Sequence, residues 1–183
     1  MQTYTFMMSK RDLKKYLSEL NKTQLEEQII ELYDKFSPVK IYYDFVFNPK
    51  EDVLLKECKL KISNEYFPPR TSGRKARKPK MRRSVAQKCI KHFILLGVDT
   101  FIIGDVMLYS IEIAQTFSAE KLANSELFYK SMLNSFGQAV KFMIANGIVN
   151  DFKPRIIAIN EETMRQKWFN QQEFDAIIER FEY

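Results

Sequence analysis

The residues best suited to chemistry lie in one run, from Arg70 to Arg83, where eight of fourteen side chains are Lys or Arg and none is acidic. The whole chain carries 29 basic and 23 acidic groups, so everything outside this run holds 21 basic against 23 acidic. The net charge of +6 is therefore a local property of one segment. A concentrated positive field of this kind is built to meet an anion. Arg forks grip phosphate oxygens in pairs, and lysines add point charges along a backbone. Arg70, Arg74, Lys75, Arg77, Lys78, Lys80, Arg82 and Arg83 are the phosphate ligands this reading predicts. Tyr66 and Phe67, just upstream, offer rings for base stacking, or else anchor a helix end in the core.

Two other constellations hold reactive groups. Asp105, Tyr109, Glu112 and Thr116 follow one another at spacings of four, three and four, which sets two carboxylates and a phenol along one helical stripe. Paired carboxylates do acid–base work or hold a divalent ion. Di-metal sites in helical bundles also need Glu-x-x-His elements, and the chain has none. The preferred reading is a structural network, with both acids paired to Lys or Arg of a neighbouring helix. His92 is the sole histidine and follows Cys89 by three residues, which makes a Cys–His pair conceivable, but flanking Lys88 and Lys91 favour a plain surface role. No Gly-rich phosphate loop, nucleophile elbow, His-Glu-x-x-His motif or Cys/His cluster is present. No catalytic residue, metal or cofactor is expected.

The elements that position these groups read as helices. Gly is scarce at 5 and Pro at 6, too few turn residues for an all-β fold. Ser9 with Asp12, and Thr23 with Glu26, have the spacing of capping boxes ahead of stripes recurring at i, i+3, i+4 and i+7. Ser37-Pro38 opens a third segment through Phe47, read as helix over strand. Asn48 as cap, Pro49 at the first position and Glu51 at the third launch a helix to Tyr66, which Pro68 and Pro69 stop. Gly73 and Pro79 keep the basic run out of regular helix. A helix from about Arg82 ends at Gly97, and Asp99 caps one from Thr100 to Phe117 that is apolar nearly all round. Gly104 within it marks a close helix crossing, and Gly137 plays the same part in the helix from Ser125 to Asn146, which Gly147 ends. A helix over 152–167 carries Pro154 in its first turn. A last one starts at Asn170, boxed by Glu173.

The expectation is an all-α chain: a compact bundle of about seven or eight helices with one basic loop, 68–83, in a single domain over 9–183. Residues 1–8 are read as a disordered extension. A compact chain of this length has a radius of gyration of about 16 Å, room for one core. Cys58 and Cys89 are far apart in sequence without a CxxC, and read as buried reduced thiols of a cytoplasmic protein. Residues 93–113 come nearest to a membrane segment, but Asp105 and Glu112 fall within it, each costing about 2.5–3.5 kcal/mol at a bilayer centre.

Several stretches carry a resemblance: Lys10 to Leu17, Tyr42 to Pro49, Arg83 to Lys88, and Tyr109 to Phe117. Together they resemble a bacterial family of small helical proteins catalogued as a domain of unknown function, over nearly the whole chain from Met8. The resemblance implies a bacterial cytosolic protein and brings no activity, cofactor or site. The functional expectation therefore rests on charge: a non-enzymatic binding protein that meets RNA or DNA backbone through residues 70–83. The alternative is an adaptor whose basic loop docks an acidic protein partner. No membrane partner is expected.

Overall fold

The computed structural model describes residues 9–69, 77–121 and 125–182, with side chains up to 179. The chain is all-α: nine helices, and no strand, are found among the described residues. They gather into two compact units, Met1–Pro49 and Lys50–Tyr183.

The first unit holds α1 (Lys10–Ser18), α2 (Lys22–Lys35) and α3 (Ser37–Phe47). Ser9 closes a capping box with Asp12, as the spacing predicts. For α2 the box forms two residues earlier than Thr23 and Glu26 suggested. The Asn21 side chain accepts from the Gln24 amide at 2.9 Å, and Gln24 Oε1 accepts from the Asn21 amide at 3.0 Å. Asn is as good a cap as Thr, and the earlier start gains about half a turn of helix. The segment after Ser37 is helix, with Pro38 in its first turn. Tyr33 donates its hydroxyl to Asp44 at 2.8 Å and ties α2 to α3. No residue of the three helices is buried.

The second unit holds α4 (Glu51–Tyr66), α5 (Arg83–Leu96), α6 (Thr100–Glu120), α7 (Glu126–Ala145), α8 (Val149–Arg165) and α9 (Gln171–Glu182). α6 is its axis and packs against α4, α5, α7 and α8. Its Val106, Leu108, Ile111 and Ala114 are sealed from solvent, which explains why its sequence is apolar on nearly every side. Each fully buried side chain of this size contributes about 1.5–3 kcal/mol. A Cβ on Gly104 would stand 3.2 Å from the Phe152 ring and 3.3 Å from the Met143 methyl, so this glycine does mark the close crossing. Gly137 does not: a Cβ there would meet only Ile177, at an ordinary 3.5 Å. Trp168 sits in an aromatic cluster with Phe128, Tyr129 and Phe174, their ring centroids 5.0–5.9 Å away.

In the second unit three helix starts differ from what the spacing implies. Asn48 is the carboxyl-terminal cap of α3, Pro49 lies ahead of α4, and no side chain caps α4. Glu51 instead accepts the Asp99 amide at 3.0 Å and binds the start of α4 to the start of α6. Gly97 and Gly147 both take left-handed conformations (φ +74° and +71°) and end their helices as expected. The reversal at Gly147 lets α8 begin at Val149, so Pro154 lies inside the helix rather than in its first turn and interrupts one backbone hydrogen bond. Asn170 makes no capping box with Glu173. It is 1% exposed, and its amide donates to the Tyr129 carbonyl at 3.1 Å, tying α9 to α7.

Candidate functional site

The basic run grows from the carboxyl end of α4. An α-helix leaves its last four carbonyls without internal partners. In α4 the returning chain supplies donors: the Lys80 and Met81 amides both donate to the Glu65 carbonyl, at 2.9 and 3.1 Å. This doubled contact requires Met81 to adopt φ +50°, a left-handed conformation in which a side chain is strained. The Glu65 carboxylate then clamps Arg82, accepting from its backbone amide at 3.3 Å, Nε at 2.9 Å and Nη2 at 2.7 Å. Glu65 is only 12% exposed at its side chain, and the Arg82 fork holds its carboxyl below the usual range. The end of α4 and the start of α5 are thus pinched together at Glu65–Arg82, at the base of the loop.

The eight predicted ligands divide. Arg70, Arg74 and Lys75 lie outside the described residues. Arg77, Lys78 and Lys80 are exposed, and the side chains of Arg77 and Lys78 form no hydrogen bond or ion pair among the described residues. Arg82 is engaged by Glu65. Arg83 turns inward: its Nε donates to Ser135 at 2.8 Å and its Nη2 to Gln138 at 2.8 Å, fastening α5 to α7. Tyr66 is 3% exposed and, with Phe67, packs on Phe117 at 5.8 Å between centroids. The buried Tyr66 ring is closed to base stacking, because the aromatic core at the end of α4 takes it first.

What the sequence reading underweighted is the absence of acids around the run. Residues 66–98 contain no Asp or Glu, so the acid-free stretch includes the whole of α5. Lys88 and Lys91, three apart on α5, are both exposed and extend the positive surface beyond the loop. α5 starts at Arg83 with no side-chain cap, so the positive end of its dipole opens at the base of the run.

The acids of α6 are committed elsewhere. Arg155 of α8 donates Nε and Nη2 to the two Glu112 oxygens at 2.9 and 2.8 Å, and Nη1 to Asp105 at 2.7 Å. Lys59 of α4 adds an ammonium 2.6 Å from the other Asp105 oxygen and lies over the Tyr109 ring at 5.1 Å. Burial works to raise the Asp105 carboxyl, but hydrogen bonds from Lys59 and Arg155 outweigh it and hold the group below its ordinary value. Two carboxylates facing two cations form the structural network the spacing suggested. His92 is exposed. Cys89, instead of pairing with His92, meets Cys58.

A groove of about 510 Å³ runs between α6 and α8, lined by Glu112, Gln115, Thr116, Glu162 and Arg165 among others. Its polar lining is largely satisfied from within. Gln115 donates to the Ile159 carbonyl and Thr163, Glu112 is held by Arg155, and Glu162 accepts from Arg165. Among the described residues, no group of three or more His, Cys, Asp or Glu is placed to hold a metal, and no helix is long and apolar enough to cross a membrane.

A family of unknown function, DUF6155, matches residues 8–182, and the chain belongs to it. No curated protein and no solved structure matches.

Proposed function

With no activity attached to that family, we propose that the protein is a non-enzymatic binder of nucleic-acid backbone, RNA or DNA, acting through the basic loop and the adjoining face of α5. The observation that carries this reading is the acid-free stretch from Tyr66 to Val98, in which Arg77 and Lys78 are exposed and unpaired among the described residues. Other cations of the second unit, Lys59, Arg155 and Arg165 among them, are paired with carboxylates. At the loop Glu65 is consumed by Arg82. Unmatched cations gathered in one place gain most from an anionic polymer, because each phosphate contact releases condensed counterions. Lys80, Lys88 and Lys91 add charge to the same surface, and Arg70, Arg74 and Lys75 belong to the same run of sequence. A bacterial cytoplasmic setting belongs to the same proposal.

Fluorescence anisotropy of short labelled single- and double-stranded RNA and DNA across a salt series tests it. If about five phosphates of a duplex are contacted, log K falls with log salt at a slope near −4.5. Changing Arg74, Lys75, Arg77 and Lys78 to Gln removes most of that binding while leaving the Glu65–Arg82 pinch intact. A slope near −1, or equal binding by the variant, overturns the proposal.

A further inference from the structure

The stem beneath the basic loop contains a second feature, which does not depend on the function proposed above. α4 and α5 pack against each other, and their register is fixed at the loop end by Glu65 against Arg82. One turn further along, Ile62 and Ala86 line the same small cavity. The helices run antiparallel, so the next turn brings Cys58 opposite Cys89, where each thiol is the other's first electrostatic neighbour. Residues 31 apart in sequence are thus placed side by side by the hairpin of helices.

We propose that Cys58 and Cys89 form a redox modification site that a hydroperoxide converts reversibly to a disulfide across the stem of the basic loop.

The two sulfurs are unlike. Cys58 is 2% exposed, whereas Cys89 is only half-buried. The neighbouring Cys58 thiol and the Lys61 ammonium favour the Cys89 thiolate and outweigh its burial, bringing it down to about 7. The neighbouring Cys89 sulfur and burial push Cys58 up, with Lys61 and Lys59 opposing. Cys89 is therefore the attacking sulfur and Cys58 the resolving one, in the arrangement that redox-responsive pairs require.

The Cys89 thiolate attacks the distal oxygen of the hydroperoxide. A sulfur–oxygen bond forms, the oxygen–oxygen bond breaks, and the alcohol, or water from hydrogen peroxide, leaves after taking a proton. The sulfur of Cys58 then attacks the sulfur of the Cys89 sulfenic acid. A sulfur–sulfur bond forms, the sulfur–oxygen bond breaks, and the hydroxyl departs as water with the Cys58 proton. In sum, two thiols and one hydroperoxide give one disulfide, one alcohol or water, and one water. A dithiol reductant reverses the change by thiol–disulfide exchange. The covalent ring so closed runs from residue 58 to 89 and encloses the entire basic run.

The test treats the full chain with one equivalent of hydrogen peroxide under native conditions and maps the products by mass spectrometry. Wild type is expected to lose two hydrogens, give a Cys58–Cys89 cross-linked peptide, and return to its starting mass with dithiothreitol. Cys58→Ser is expected to stop at a sulfenic acid on Cys89 that dimedone traps, and Cys89→Ser to leave Cys58 unoxidised. Both variants keep Trp168, whose fluorescence shows that they are folded. Alkylation of the wild-type protein by iodoacetamide should follow a pH midpoint near 7 rather than near that of a free thiol, about 8.5. Four results each overturn the proposal: sulfinic acid on Cys89 with Cys58 still reduced, a disulfide that forms only between two chains, first oxidation at Cys58, or cross-linking no faster in the native protein than in urea.

Discussion

Replacing Arg155 by Met tests whether the charge network fastens α8 to α6 or merely decorates them. The substitution keeps most of the aliphatic bulk and removes three charge-assisted hydrogen bonds, at 2.7, 2.8 and 2.9 Å. Such bonds are worth about 1.5–3 kcal/mol each in a buried setting. Here the three side chains are 34%, 24% and 35% exposed, so water takes over part of each role and the total must be discounted heavily. Asp105 also retains Lys59 at 2.6 Å, whereas Glu112 keeps no ion pair among the described residues. A loss of about 2 kcal/mol results, or a fall in Tm of about 4–8 °C for a chain of this size. Urea unfolding followed by Trp168, the single tryptophan, reads the second unit directly. The acid side supplies a sign. Asp105 titrates lower in the folded chain than unfolded, so its contribution is full above about pH 4 and is lost as pH falls through the folded value. The gap between wild type and variant must therefore narrow in acid. A loss below about 0.5 kcal/mol at neutral pH, or a gap that widens in acid, would refute the reasoning.

Two further predictions concern glycines and the loop stem. Gly137→Ala is expected to stabilise by about 0.5–1 kcal/mol, since its new methyl meets only Ile177 at 3.5 Å, whereas Gly104→Ala is expected to destabilise by about 1 kcal/mol. At Gly104 the gain in helix propensity is outweighed because the Phe152 ring is held by Phe101 and Arg155 and cannot yield freely. Thermal melts of both variants decide this, and equal signs would contradict the packing account. Glu65→Gln is expected to cost about 1 kcal/mol locally, Arg82 being 54% exposed, and to speed hydrogen exchange at the Lys80, Met81 and Arg82 amides about fivefold. Unchanged exchange there would mean that the pinch at the loop base is not held by this carboxylate.

Much of the fold was legible because helices announce themselves locally. Ser9 with Asp12, Gly97 and Asp99 each act within one turn, and each does in the structure what its spacing implies. Two of the failures share a cause: a residue suited to a local role was recruited by a distant partner. Glu51 reaches Asp99 instead of its own helix start, and Asn170 reaches Tyr129. Gly137 resembles Gly104 in sequence, yet only the packing of α8 distinguishes them. The site shows the same division. Its charge was visible in composition, but the diversion of Arg83 to Ser135 and Gln138 depends on a contact fifty residues away. The meeting of Cys58 with Cys89 follows from the antiparallel register of α4 and α5, which no local pattern reveals.

The basic run can be seen as two kinds of cation with different work. Arg82 and Arg83, nearest α5, are forks that hold several donors in a fixed plane, and both are committed to partners within the chain. They build the stem: one closes the loop on Glu65, the other ties α5 to α7. Arg77 and Lys78, farther out, meet no such partner among the described residues and keep their full charge toward solvent. This order has a physical logic. A loop dense in like charges repels itself, and that repulsion favours opening at the base unless the base carries opposite charge. Glu65, nearly buried at the end of α4, supplies that charge where it is least screened, and the negative end of the α4 dipole adds to it. Glu65 is thus placed to hold the loop's root at Arg82 while Arg77 and Lys78 stay exposed, an arrangement suited to presenting cations to an anionic partner.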